Sequence, residues 1–140
     1  MSTPGDAGDV MRWLAEREPQ PPPALATRIR SVVEAAADEM PSVPEGVGPR
    51  ASRLGGLALQ GLAALAREPA GPGSKELAAA GPQGAPALAA LRARAADLLV
   101  VDALLTYALE AAAQDGPESV HAIADWLSPA RLATLLPVRP

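Results

Sequence analysis

APALAALRARAADLLVVDALLTYALEAAA, residues 85–113, contains no helix breaker after Pro86 and decides the fold class. Ala, Leu, Arg and Glu, which dominate it, are strong helix formers. Wound at about 3.6 residues per turn, it places Leu88, Leu91, Ala95, Leu98, Leu105 and Leu109 in one stripe. Val100, Val101, Leu104, Tyr107 and Ala108 cover most of the opposite side. A helix that is apolar on both sides belongs in the middle of a bundle or an oligomer. It is a poor membrane span, because Asp97, Asp102 and Glu110 interrupt it. Asp102 falls in the leucine stripe. A carboxylate there is expected to be paired, protonated or part of a site, with Arg94, Arg131 and His121 as candidate partners.

Outward from this helix the breakers act as punctuation. The chain has 12 Gly and 16 Pro, clustered between helical stretches. A first helix is predicted from Asp6 or Asp9 to Glu18, with Val10, Trp13, Leu14 and Arg17 on one face. Pro19 and the stiff link from Gln20 to Pro23 follow it. A second helix is predicted from Pro22 to Met40, with Leu25, Ile29, Val32, Val33, Ala36 and Met40 as its apolar stripe. A third, from Arg50 to Arg67, carries Leu54, Leu57, Ala58, Gly61 and Leu65 inward. Its glycines cost helix stability but allow close helix approach. Residues 69–86 read as a flexible connector with one helical turn at Lys75–Ala80. Beyond the long helix, Asp115-Gly116-Pro117 supply a turn. A helix with Val120, Ile123, Ala124 and Leu127 inward follows, and Ser128-Pro129 open a short last helix to Leu136.

The expectation is an all-α, single-domain bundle of five to six helices around one long central apolar helix, with Pro/Gly-rich loops. Residues 1–23 form an N-terminal helix and Pro-rich link able to act as a docking arm, and residues 24–140 form the bundle. Beta structure is disfavoured by a composition poor in Ile, Thr and aromatics. The core material is weak: 32 Ala bury little area each, and Leu, Ile and Val total 30 of 140 residues. Self-association is a natural remedy for a core of that quality.

Charge is uneven along the chain. Residues 1–48 hold eight acids and four Arg, residues 49–94 two acids and six bases, and residues 95–140 six acids and two Arg. The basic middle third is expected to bridge to the acidic thirds of the same chain or of a second copy. The net charge of −4 and pI near 4.9 argue against nucleic acid as a partner.

Catalytic constellations are thin. The chain has no Cys and a single histidine, His121, and it lacks HExxH, GxSxG and P-loop patterns, so neither a metal nor another cofactor is expected. The segment LLVVDALLTYALEAAA, residues 98–113, resembles an apolar helix of trans-isoprenyl diphosphate synthases. The aspartate-rich DDxxD motifs of that family are absent here, and no function is carried over. The leading reading is a non-enzymatic protein-binding or assembly protein, self-associating or part of a larger complex. The alternative is a helical regulatory domain that holds a small apolar ligand between helices near Asp102 and Tyr107. A third reading, a small carboxylate enzyme, requires Asp97, Asp102 or Glu110 to face a shared pocket. Trp13, Asp102, Leu105, Tyr107 and Trp126 are the candidate interface or ligand residues. The N-terminus has neither a basic nor an apolar signal region, and one Lys against 11 Arg with abundant Ala, Gly and Pro fits a GC-rich coding bias, so a bacterial cytoplasmic protein is the expectation.

Overall fold

A computed structural model describes residues 5–36, 44–68 and 73–135. Among them the fold is an all-α bundle: α1 (Ala7–Glu16), α2 (Pro23–Ala35), α3 (Pro49–Arg67), α4 (Ser74–Ala80), a 3-10 turn (Gly81–Gly84), α5 (Ala85–Asp115), α6 (Pro117–Trp126) and α7 (Pro129–Leu135). No described residue is in a strand. No helix among them is long and apolar enough to cross a membrane.

The helix ends follow local chemistry. Asp6 caps α1, its carboxylate accepting from the Asp9 N–H at 2.7 Å. Prolines at the first turns of α2, α3, α5 and α6 sit where the missing N–H has no helical partner to lose. Gly116, at φ 126°, lets the chain reverse between α5 and α6 with only one residue between the helices. The helical turn predicted at 75–80 is α4, and the 3-10 turn joins it directly to α5. The second helix is shorter than its pattern, because Ala36 is already extended (ψ 124°). Residues 37–40, with Met40, lie outside the described residues, as do 69–72 of the connector.

The most extensive helix contact is between α3 and α5. From Ala51 to Leu59 only Arg53 is not buried, so this half of α3 is enclosed on nearly all sides. The glycines of α3 are the reason it can be. A Cβ on Gly55 would stand 2.8 Å from the Trp126 ring of α6, and one on Gly61 would stand 2.8 Å from a Val101 methyl of α5. Both neighbours occupy space that any larger residue would fill.

Of the two apolar sides expected to be buried on the long helix, one is. Val100, Val101, Ala103, Leu104, Tyr107, Ala108, Ala111 and Ala112 are its buried side. The leucine stripe faces out at Leu88, Leu98 and Leu109, which are 40%, 54% and 42% exposed, and Leu99 next to it is 60% exposed. Leu91 and Leu105 are half-buried, and Asp102 is exposed. The helix is therefore not covered on both sides. Packing explains the choice. Ala108, Ala111 and Ala112 are essentially inaccessible, and their small side chains let α5 approach its neighbours more closely than leucines would. Helix α6 packs on this C-terminal half of α5, and Ile123 and Trp126 complete the core there.

Candidate functional site

Two of the candidate residues anchor a cluster that binds α1 to its own bundle. Val10, Trp13 and Leu14 are buried, so the face of α1 expected to be apolar is covered within the chain. Trp13 meets Tyr107 of α5 edge-to-face, with ring centroids 6.4 Å apart at 74°. Its indole N–H donates to Gln114 Oε1 at 2.9 Å. The Arg17 guanidinium lies 4.3 Å from the Tyr107 ring centroid and donates to both Glu110 oxygens at 2.6 and 2.7 Å. On the other side Arg50 of α3 stands 5.6 Å from the Trp13 ring centroid and forks onto Asp9 at 3.0 and 3.1 Å. The Arg50 hydrogen bonds, helped by the Gly5 N–H, hold the Asp9 carboxyl below the usual carboxylate range in spite of its partial burial.

Sequence reasoning placed Trp13 and Arg17 on one face but missed Asp9, Arg50, Glu110 and Gln114 as their partners. The signal available was matched spacing. Val10 and Trp13 on α1 with Arg17 at its C-cap, and Tyr107, Glu110 and Gln114 on α5, both follow i, i+3, i+7, the spacing of one helical row. Arg50–Asp9 is a bridge from the basic middle third to an acidic third of the same chain, of the kind expected. Arg28–Asp97, at 3.1 Å on the surface, and Arg17–Glu110 join the two acidic thirds to each other instead.

Trp126 is also buried, seated over Gly55. Asp102 and Tyr107 do not come together. Five residues apart on a helix, they point roughly 140° from one another, Tyr107 into the core and Asp102 to solvent. Asp102 has no side-chain hydrogen bond or ion pair among the described residues, so none of its expected partners Arg94, Arg131 and His121 pairs with it. Arg94 donates to the Leu65 carbonyl at 3.1 Å, and the exposed His121 ring nitrogen lies 3.0 Å from the Pro117 carbonyl. The three acids of α5 also diverge: Asp97 turns to Arg28, Glu110 to Arg17, and Asp102 to neither. No group of three or more His, Asp or Glu among the described residues could hold a metal ion.

What remains uncovered is the outer face of α5. Leu88, Leu91, Ala95, Leu98, Asp102, Leu105 and Leu109 recur at alternating steps of three and four residues, so they form one straight row. That spacing is the a/d repeat found in helices that pair with another helix. Beside the row, between α3 and α5, is an open groove of ≈ 460 Å³ lined by Leu62, Leu65, Ala66, Leu91, Arg94, Ala95 and Leu98. Its only charged lining residue, Arg94, is already bonded to the Leu65 carbonyl. The groove therefore offers shape and apolar surface, with little to orient a polar ligand.

The class so defined is a small all-α bundle with one open, leucine-rich helix face. No protein-family model, no curated protein and no solved structure matches the chain.

Proposed function

We propose that this chain is a non-enzymatic assembly protein that associates with itself through the outer face of α5. The observation that carries the reading is the a/d row on the longest helix, in which Leu88, Leu98 and Leu109 are exposed and Leu91 and Leu105 only half-buried. Soluble monomers rarely leave a long contiguous apolar strip facing water, and a leucine row at heptad spacing is matched by an identical row on a second copy. The groove beside the row supplies a hole for incoming side chains. A reducing cytoplasmic compartment suits a chain without cysteine.

The groove volume also lies in the range of small-ligand sites, which favours the apolar-ligand reading as a second possibility at Leu62, Leu91 and Leu98 rather than at Tyr107. One experiment separates the two. Sedimentation equilibrium across a wide concentration range should show mass rising from 14.2 kDa toward twice that value. Leu98→Glu should hold the protein at the monomer mass with its helicity unchanged. A wild-type chain that stays monomeric at every concentration overturns self-association. Native mass spectrometry showing a discrete small molecule on that monomer would establish the second reading.

A further inference from the structure

We infer that the two α5 helices pair antiparallel, in the one register that sets Asp102 against Arg92 of the second copy. This rests on the self-association proposed above and specifies its geometry.

The argument begins with the distribution of charge along α5. Its bases, Arg92 and Arg94, are in the N-terminal half, and its acids, Asp97, Asp102, Glu110 and Asp115, follow them. Asp97 and Glu110 are neutralised by Arg28 and Arg17 within the chain, and Arg94 is held by the Leu65 carbonyl. Asp102 within the row and Arg92 beside it are both exposed, and neither has an ion-pair partner among the described residues.

A parallel pair would lay Asp102 directly on Asp102 of the second copy, two like charges in an apolar seam. Antiparallel pairing instead alternates a and d layers and lays the basic half of one helix over the acidic half of the other, with the helix dipoles opposed. Registers of such a pair differ by whole heptads, so few need be considered. With Leu88 over Leu105 and Ala95 over Leu98, Asp102 meets Leu91 of the second copy, and Arg92 flanks that layer. The Asp102–Arg92 pair is then offset along the axis by about one residue rise, roughly 1.5 Å. Sliding one heptad in one direction faces Asp102 with Leu98, beside Asp97 and Leu99. Sliding it in the other carries Asp102 to Gly84, beyond the start of the partner helix. Only one register gives the carboxylate a cation. A polar residue at a single core position selecting register and orientation is a known device of helix pairs. It gives Asp102 a reason to interrupt a leucine row.

The test uses charge reversal and a distance. Asp102→Arg and Arg92→Glu each should weaken the dimer by roughly tenfold or more. The double variant Asp102→Arg/Arg92→Glu should return to within a few-fold of wild type, because the pair is rebuilt with its signs exchanged. Both residues are exposed, so circular dichroism should be the same for all three. The chain has no cysteine, so a single spin label at Ala113→Cys reports orientation without background. In this register the two labels stand on the order of 50 Å apart along the helix axis, at 1.5 Å per residue. In a parallel pair they are separated by little more than the roughly 8–10 Å between helix axes. A dimer with a short label distance, or a double variant no better than the singles, overturns the inference and leaves self-association standing. A chain that is monomeric at every concentration removes both.

Discussion

The phase of α5 can be tested by exchanging two leucines six residues apart for alanine. Leu104 is 1% exposed and Leu98 54% exposed. At Leu104 truncation removes buried methyl groups and leaves a cavity between α5 and its neighbours. Such Leu→Ala changes cost about 2–5 kcal/mol. At Leu98 the side chain retains under half of its burial, and solvent fills the space it vacates. Three carbons at about 0.8 kcal/mol each, halved for exposure, give roughly 1 kcal/mol and no cavity contribution. Urea unfolding at low micromolar protein, followed by far-UV circular dichroism, reads both. A mid-range loss of about 3 kcal/mol at Leu104 should lower Tm by on the order of 12 °C, against roughly 4 °C at Leu98. Raising the protein concentration adds a second readout. The wild type and Leu104→Ala should gain apparent stability by mass action as they associate, and Leu98→Ala should not. If Leu98→Ala proves the costlier change at low concentration, the leucine row faces the core and both the open surface and the pairing scheme collapse.

Other consequences follow from single contacts. Gly55→Ala gains about 1 kcal/mol of helix propensity but forces a methyl to within 2.8 Å of the Trp126 ring. Overpacking of about 1–3 kcal/mol outweighs the gain, so chemical denaturation should show net destabilisation, accompanied by a shift in Trp fluorescence. The Ser119 hydroxyl is buried with no hydrogen-bond partner among the described residues. Ser119→Ala removes an unsatisfied polar group and should stabilise by about 1 kcal/mol, and a measured loss would mean the hydroxyl is bonded in solution. Asp9 titrates below its ordinary value of 3.8 because Arg50 bonds its charged form. Its contribution is therefore complete above that value and disappears as pH falls through the lower, folded-state pKa. Stability measured between pH 5 and 2 should fall less steeply in Asp9→Asn than in the wild type.

How far the sequence determines this molecule differs from element to element. The helices were legible because their signals are local: Pro at first turns, Gly at reversals, and a period near 3.6 in α1 and α2. The inward face of α3 was legible for the same reason, since Leu54, Leu57, Ala58 and Leu65 are buried as their spacing implies. The clamp around Trp13 was only half legible, because ion pairs such as Arg17–Glu110 join residues 93 apart in sequence and depend on how the helices dock. Which of the two apolar faces of α5 turns inward was not legible. Periodicity identifies a buried face only by contrast with a polar one, and α5 offers two apolar faces, one of leucines and one of Val, Ala and Tyr. Ranking by transfer free energy favours the leucines. Close approach to α3 and α6 favours the side on which alanines let backbones meet, and here packing prevails. Asp102 was the residue that could have broken the tie. A lone carboxylate is far less costly on a face that meets water, or a partner's arginine, than in a sealed core. Its place in the leucine row therefore marks that row as the outer one. The same ambiguity that leaves the inward face undecided in the sequence is what leaves a second apolar face on the outside of the helix, and the proposed self-association rests on that face.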